Sequence, residues 1–220
     1  MLPLPVVDPL SLLLLLAAMA VLPFAAMVVT SYAKIVVVLG LMRNAIGVQQ
    51  VPPNTVLNGI ALILSCYIMA PVMMDAARGV AVGTPNGTQS NAQQMLAMAE
   101  SAQGPFREFL KKHAHEREKQ FFLRSAELVW PAVHAKQLKK DDLMVLAPAF
   151  LLTELTAAFR IGFLLYLAFT VIDLVIANVL LAMGLSQVTP TNVAIPFKLL
   201  LFVSLDGWSR LVHGLVLTYR

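Results

Sequence analysis

Residues 146–184 read LAPAFLLTELTAAFRIGFLLYLAFTVIDLVIANVLLAMG, and this stretch is apolar throughout except for a few polar groups. As an α-helix rising about 1.5 Å per residue, it would be longer than the roughly 30 Å thickness of a bilayer's hydrocarbon core. Three formal charges, Glu154, Arg160 and Asp173, lie inside it. The stretch therefore predicts one long helix of a membrane-associated protein.

The three charges cannot neutralise one another on a straight helix. At about 100° per residue, Glu154 and Asp173 lie about 100° apart around the axis, and Arg160 lies about 120° and about 140° from them. A charge in hydrocarbon costs about 3 kcal/mol or more unless it is paired or hydrated. We therefore expect the partners of these charges on other segments or on other subunits, as in one component of an assembly.

The composition indicates an integral membrane protein. Hydrophobic residues make up 59% of the 220 residues and charged residues only 13%, whereas a typical soluble domain has about 25% charged residues. Ten of the 16 Lys and Arg residues, and eight of the 12 Asp and Glu residues, fall between Asp75 and Asp142. Because that block is nearly balanced in charge, it predicts a solvated insert and not a nucleic-acid-binding patch.

The order of apolar and polar segments predicts an all-α fold in three parts. Residues 1–74 form an N-terminal helical hairpin from two apolar runs, Leu10–Met42 and Val56–Met74. Residues 75–145 form a polar, largely helical insert. Residues 146–220 form a C-terminal helical hairpin, and its connecting turn lies at residues 183–190.

Proline and glycine residues predict where these helices bend or end. Pro23 should kink the first helix, Gly79–Ser90 should form a loop, and Gly104-Pro105 should interrupt the helix that follows this loop. The segment Met1–Pro9 lacks the basic residues of a secretory signal, so we expect the first helix to be retained.

The final apolar helix is predicted over Val193–Tyr219. It carries three charged residues, Lys198, Asp206 and Arg210. Asp206 and Arg210 are four residues apart with the acid first, which is the favourable order for an ion pair within one helix. Lys198 cannot be explained in this way.

The sequence gives little support to an enzyme or to a metal or cofactor site. It contains no P-loop, and its one cysteine, Cys66, lies in an apolar run without a suitable histidine arrangement. His113 and His115 stand near acidic residues, but residues two apart on a helix point in different directions. We therefore expect no catalytic activity and no cofactor.

The charges within the apolar helices allow two interpretations. They could form a proton or ion relay, as in a small ion-coupled transporter that uses Glu154 and Asp173 as proton carriers. They could instead be structural pairs, with Lys34 and Lys198 as the cations for the two carboxylates. The turn at residues 184–190 is similarly open, since it could be a simple connector or could line or plug a pore.

Seven motifs follow one another along the chain. They are KIVVVLGLMRN at 34–44, QQVPPN at 49–54, PFREFL at 105–110, FLLTEL at 150–155, IGF at 161–163, PFKLLL at 196–201 and DGW at 206–208. In this order they resemble the FliP/SctR family, the export-apparatus proteins of bacterial type III secretion systems and flagella. The resemblance covers nearly the whole chain, and the short N-terminus is more similar to the virulence and plant-interaction branch (SctR, YscR, HrcR).

The resemblance implies a protein-conducting pore in the bacterial inner membrane. Several copies, a pentamer in the family, would assemble with SctS and SctT, and SctU and the export gate SctV would attach to this core. Unfolded secreted proteins would pass through the centre. Although hydropathy predicts four membrane-spanning helices, the complex would protrude to the periplasmic side. The basic residues of the insert do not oppose this, because inserts longer than about 60 residues largely escape the positive-inside rule.

The resemblance also assigns roles to particular residues. The turn between the last two long helices would help to close the pore. Matched by position, the candidate gate residues are Met183, Gly184, Leu185, Ser186, Gln187 and Val188, of which one is a methionine where the family commonly has several. Glu154 and Lys198 would be the leading inter-subunit charge pair, and Lys34 and Asp173 are further candidates. Arg160 stands where the family often has glutamine, and the sequence names no partner for it.

Overall fold

The computed structural model describes residues 9–48, 50–82, 91–185 and 187–220. All regular secondary structure within these residues is helical, which confirms the all-α fold class. The helices are α1 (Pro9–Val29), α2 (Tyr32–Ile46), α3 (Asn54–Val82), α4 (Asn91–His113), α5 (Glu116–Val129), α6 (Ala132–Ala135), α7 (Leu143–Ala182), α8 (Pro190–Ser204) and α9 (Gly207–Leu217). Most of the segment Met1–Pro9, for which the sequence predicts no cleaved signal, lies outside the described residues.

The longest helix, α7, is the axis of the fold. Its 40 residues extend about 60 Å at about 1.5 Å per residue. Helices α1, α2, α4, α5 and α8 pack against it, whereas α3 packs mainly on α2 and α4. The contact between α2 and α7 is close at Gly162, because a Cβ atom there would lie 2.3 Å from the Leu41 side chain. The two helices therefore need a residue without a side chain at this point.

Buried apolar side chains form three clusters along α7. The first joins α2, α3, α7 and α9 and includes Leu39 and Leu215. The second surrounds Phe150 and joins α3, α4 and α7. The third joins α2, α7 and α8 through Phe169 and Phe202. Burial of apolar surface contributes about 25 cal/mol per Å², so these clusters hold α2 in a defined position along α7.

The first apolar run forms two helices rather than one. Helix α1 continues through Pro23, and the chain leaves the helical path at Thr30 and Ser31. The Thr30 hydroxyl donates a hydrogen bond to the carbonyl of Ala26 and accepts one from the backbone N–H of Tyr32. Such side-chain bonds compete with the helical backbone bonds, which explains a break that hydropathy does not predict.

Two predictions about the insert are wrong. Helix α3 continues through Gly79 to Val82, so the predicted loop does not begin at Gly79, and the rest of it, residues 83–90, lies outside the described residues. Helix α4 runs through Gly104 and Pro105 without interruption. Pro105 cannot donate to the Ser101 carbonyl, and that oxygen lies 3.3 Å from the position that a Cβ of Gly79 would take. Helix α3 thus packs against α4 at the turn where Pro105 donates no backbone hydrogen bond, and α4 stays continuous there.

The predicted final helix is divided into α8 and α9, which are bent by 62° relative to each other. The break lies at Leu205 and Asp206, where Asp206 adopts a left-handed backbone conformation with φ of 52°. Asp206 and Arg210 form no ion pair in the described structure, and only the backbone N–H of Arg210 donates to the Asp206 carbonyl, at 3.0 Å. The predicted intra-helix pair is wrong because Asp206 precedes α9 instead of belonging to one continuous helix.

Candidate functional site

An ion pair joins α2 to α7 in the protein interior. The Lys34 Nζ atom lies 3.2 Å from Glu154 Oε1, and each side chain is only 4% exposed. Charged side chains are almost never buried this completely unless they are paired, because both groups must leave water. The partner that Glu154 lacks on its own helix is therefore supplied by another segment of the same chain.

Tyr219, which follows α9, completes this pair. Its hydroxyl donates a hydrogen bond to Glu154 Oε2, and the Lys34 Nζ atom lies 3.9 Å from the centre of its ring. The ring gives Lys34 a cation–π contact in addition to the carboxylate. These three residues, which we name the Lys34–Glu154–Tyr219 cluster, connect α2, α7 and the chain after α9.

His113 of α4 borders this cluster. Its ring centre lies 5.2 Å from that of Tyr219 and 4.7 Å from that of Phe109. Burial, with smaller contributions from the positive charges of Lys112 and Lys34, lowers the pKa of His113 to about 4. At neutral pH this histidine is therefore uncharged and packs as an aromatic ring.

A second ion pair joins α7 to α8. The Lys198 Nζ atom lies 2.6 Å from Asp173 Oδ2 and also donates to the Ala45 carbonyl near the end of α2, at 3.2 Å. The two members of the pair differ in burial, since the Lys198 side chain is 5% exposed and the Asp173 side chain 41%. The ammonium group therefore depends on this carboxylate for neutralisation, whereas the Asp173 side chain is partly exposed, although its Oδ1 atom is buried without a hydrogen-bond partner.

The four predicted charges find partners within one chain. Glu154 and Asp173 are separated by about 28 Å along α7, at about 1.5 Å per residue, so Lys198 beside Asp173 cannot also reach Glu154. Within the chain, the cation beside Glu154 is therefore Lys34 and not Lys198. An inter-subunit role for these four residues stays a prediction.

The turn after α7 has a defined backbone structure. Gly184 has a left-handed conformation with φ of 71°. The N–H groups of Gly184 and Leu185 donate to the carbonyls of Leu181 and Leu180, each at 3.0 Å. This pair of bonds is a Schellman motif, which ends a helix at a residue that tolerates positive φ. Gly184 of the predicted gate therefore ends α7, because glycine tolerates the positive φ that this motif requires.

The same turn presents apolar side chains at the surface. Met183 is 65% exposed, and Leu185 and Val188 are also exposed. Gln187 is exposed and polar, and Ser186 lies outside the described residues. An exposed apolar turn is suited to contact with another subunit or with a passing chain. Its role as a gate stays a prediction.

The insert contains ion pairs that the sequence analysis does not identify. Lys119, whose side chain is 3% exposed, lies 2.7 Å from Glu116 and donates to the Lys111 carbonyl at 3.0 Å. Glu116 also contacts Lys140, and hydrogen bonds from the two lysines lower the pKa of Glu116 to about 2. Lys111 pairs with Asp141 at 2.7 Å. Of these three pairs, only Glu116 and Lys119, three residues apart, could have been matched by their spacing.

His113 and His115 of the insert contact protein groups. His113 packs on aromatic rings, and the backbone N–H of His115 donates to the Thr153 hydroxyl oxygen at 3.1 Å. Among the residues that the structure describes, no three His, Cys, Asp or Glu side chains are grouped in a way that could hold a metal ion.

The sequence matches a known protein family along nearly its whole length. The model of the FliP family matches residues 15–215. The chain belongs to the FliP family. It is 68% identical over 212 residues to the hypersensitivity response secretion protein HrcR of Ralstonia nicotianae, covering 96% of this chain and 97% of that protein. It is 46% identical over 212 residues to the Yop proteins translocation protein R of Yersinia pestis, with the same coverage. It is 40% identical over 216 residues to the virulence protein YscR of Salmonella typhimurium, again with coverage of 96% and 97%.

The matched range of the FliP family contains the ion pairs Lys34–Glu154 and Lys198–Asp173 but not Tyr219. Lys34, Glu154, Asp173 and Lys198 all lie within residues 15–215, and Tyr219 follows that range. The sequence analysis did not identify Tyr219, because a tyrosine at the end of an apolar helix has no local signal for a distant carboxylate. Only the packing of α7 against the chain after α9 brings the two groups together.

The helices of this FliP-family chain are suited to a membrane. Asn54–Gly79 and Leu143–Ala182 are each long and apolar enough to cross one, and the bent pair α8–α9 could be a third span. Hydropathy of the sequence alone predicts four such segments, and the break at Asp206 divides the last of them. Other parts of the described chain cover little of these two helices, since only 22% of the most apolar stretch of Asn54–Gly79 and 11% of that of Leu143–Ala182 are buried. Most of this apolar surface is therefore available to lipid or to other proteins.

Proposed function

We propose that this protein is a core pore-forming subunit of a type III secretion export apparatus and conducts unfolded proteins across the bacterial inner membrane. The names of its relatives support a role in secretion, since the Ralstonia protein is named a secretion protein and the Yersinia protein a translocation protein. The similarity extends over 96% of the chain, so the proposal concerns both hairpins and the insert.

The observation that carries this proposal is the uncovered apolar surface of α7. Phe159, Phe163, Tyr166 and Leu174 are exposed, although Glu154 and Asp173 of the same helix are already paired within the chain. At about 60 Å, α7 is about twice as long as the hydrocarbon core of a bilayer is thick. Lipid tails alone cannot cover a surface of that length, so part of it is left for other subunits.

The proposed assembly is a homo-oligomer, a pentamer by the resemblance, that binds SctS and SctT. SctU and SctV attach to this core, and the complex protrudes from the membrane towards the periplasm. The insert, residues 75–145, faces the periplasm in this arrangement. Its exposed ion pairs, such as that between Lys111 and Asp141, are compatible with a position in water.

The turn of residues 183–188 is the gate of this pore. A ring of copies brings several such turns together, and their exposed side chains, including Met183, Leu185 and Val188, form an apolar constriction. Constrictions of this kind oppose the passage of water and ions. By the resemblance, Leu185, Ser186 and Gln187 take the place of the more adaptable methionine in this chain.

No observation favours the alternative of a small ion-coupled transporter. Its candidate proton carriers, Glu154 and Asp173, are each held by a lysine of the same chain. A proton relay through these groups would have to break an ion pair at each step. The proposal therefore assigns the protein a conducting role without a catalytic activity of its own.

Cross-linking of a secreted substrate to the turn tests the proposed function. A photoreactive amino acid at Leu185, in cells with the complete secretion system, should cross-link to a substrate that is stalled by a folded fusion domain. The same amino acid at Leu62, an exposed residue of α3, is the control and should give no such product. A secretion-competent Leu185 variant that never cross-links to the stalled substrate would overturn the conducting role of this turn.

A further inference from the structure

Three charged side chains between residues 154 and 210 have no ion-pair partner among the described residues. They are Arg160 in α7, Asp206 before α9 and Arg210 in α9, and all three are exposed. The other three charges between residues 154 and 210 are paired within the chain. The unpaired charges are therefore available to groups outside the chain.

Arg160 lies on an exposed apolar surface. At about 100° per residue, Leu164, Leu167 and Val171 lie within about 40° of Arg160 around α7, and all three are exposed. We name these four residues the α7 strip. If lipid tails covered the strip, the guanidinium group would lie in hydrocarbon without a counter-charge, which is unfavourable. A protein surface that carries a carboxylate would neutralise it.

Asp206 lies on a second exposed apolar surface, where α8 meets α9. Its neighbours Val203, Leu205 and Trp208 are exposed, and we name these four residues the α8–α9 bend. Asp206 is the one acidic residue of the described C-terminal hairpin that has no lysine partner. The bend therefore offers the carboxylate that the α7 strip lacks.

We propose that the α7 strip of one copy packs against the α8–α9 bend of the next copy, with Arg160 paired to Asp206. The two surfaces carry opposite charges and are otherwise apolar, which suits a subunit interface. They are different surfaces of the chain, so the contact is heterologous and repeats from copy to copy, as in a ring. This inference rests on the proposed function and identifies one interface of the proposed oligomer.

A groove beside the bend leaves room for side chains of the neighbouring copy. The groove has a volume of about 510 Å³, and Leu165, Phe169 and Leu211 are among its lining residues, with Arg210 as the charged one. Gly214 also lines it, and a Cβ atom at Gly214 would meet no atom within 4 Å. A large side chain at Gly214 would thus obstruct a neighbouring copy without displacing atoms of its own chain.

Exchange of the two charges tests the pair in the full complex, purified in mild detergent with its partner proteins. Arg160→Glu and Asp206→Arg should each lower the yield of the multi-copy assembly about tenfold or more, because each places like charges together. The chain with both substitutions should restore most of that yield. Gly214→Phe should also reduce assembly, while the thermal unfolding of the chain stays unchanged.

Cysteine cross-linking is a second measurement that does not depend on charge reversal. Cys66 is exposed and is first replaced, as Cys66→Ser. Oxidation of a complex that contains Arg160→Cys copies and Asp206→Cys copies should then produce a cross-linked dimer. Arg124→Cys, at an exposed position of the insert, is the matched control and should give no dimer with Asp206→Cys.

The outcomes separate this inference from the proposed function. The interface is overturned if the natural chain assembles but neither single charge reversal affects assembly. It is also overturned if the double variant fails to restore assembly and the cross-link between positions 160 and 206 is absent. In both cases the pore proposal is unaffected. If the natural chain forms no multi-copy assembly with its partners, the proposed function itself fails.

Discussion

Lys34 of α2 and Glu154 of α7 form an ion pair in which the Nζ and Oε1 atoms are 3.2 Å apart and each side chain is 4% exposed. The two residues are 120 positions apart in the sequence. Because both charges lose their hydration, such a pair adds little net stability, yet removal of one member leaves an uncompensated buried charge. The pair therefore disfavours other packings of α2 on α7.

Removal of one member of this pair should destabilise the protein more than replacement of both. Glu154→Ala leaves the Lys34 ammonium group without its carboxylate, with an expected loss of about 3–5 kcal/mol in the free energy of unfolding. The double variant Lys34→Met, Glu154→Leu should recover most of this loss. Denaturant unfolding in mild detergent measures both.

The control for this cycle combines Glu154→Ala with Lys198→Ala. Lys198 lies beside Asp173, about 28 Å along α7 from Glu154, so these two losses should add within about 0.5 kcal/mol. Losses at Lys34 and Glu154 that simply add would contradict the pair.

Tyr219→Phe should destabilise the protein by about 2 kcal/mol, because a hydrogen bond to a charged group contributes about 1.5–3 kcal/mol. The substitution removes the hydroxyl that donates to Glu154 and keeps the ring, which stacks on Phe109 at 6.1 Å. Tyr67→Phe, at an exposed tyrosine of α3, is the control and should change little. Equal stability of the two variants would exclude the hydrogen bond from a stabilising role.

His113 should make the stability of the protein depend on pH. Burial lowers its pKa from the ordinary value of 6.5 to about 4, so between these values the unfolded chain binds a proton that the folded chain does not. The uncharged His113 side chain therefore contributes fully to the free energy of unfolding above about pH 6.5, and this contribution is lost as the pH falls through about 4. Thermal unfolding across this range should show the loss.

His113→Phe should lose less stability than the natural chain over the same pH range, because it has no imidazole to protonate. His134→Phe, at an exposed histidine, is the control and should follow the natural chain. If the His113→Phe variant has the same pH dependence as the natural chain, His113 does not contribute to it.

Gly162→Ala should weaken the contact between α2 and α7. A Cβ atom would lie 2.3 Å from Leu41 Cδ1 and 3.0 Å from Leu41 Cβ, so the helices must shift at an expected cost of about 1–3 kcal/mol. At Gly40 of α2 the same substitution meets no atom within 4 Å and should be neutral or stabilise the helix by up to about 1 kcal/mol. Thermal unfolding compares the two, and the reverse order of stability would contradict this packing.

The sequence predicts α7 to within a few residues because a long apolar run leaves few alternatives to a helix. It also predicts that Glu154 and Asp173 need partners on other segments. It does not choose between Lys34 and Lys198, since both are lysines within apolar runs. That choice depends on how α2 packs along α7, which is a property of contacts between residues far apart in the sequence.

The break before α9 shows a different reason for an incorrect prediction. Asp206-Gly207 is a dipeptide that favours turns, but it lies inside an apolar run that also fits a continuous helix. Packing decides between them, because Gly207 lies so close to the Phe202 ring that a Cβ atom would stand 2.1 Å from it. The turn signal of Asp206-Gly207 can be read from the sequence, whereas the contact between Gly207 and Phe202 that stabilises the bend is seen only in the structure.

Native mass spectrometry of the full chain in mild detergent, expressed with and without SctS and SctT, tests the central claim most directly. The proposed function predicts a discrete multi-copy assembly that binds both partners. A stable monomer or dimer that binds neither would contradict it.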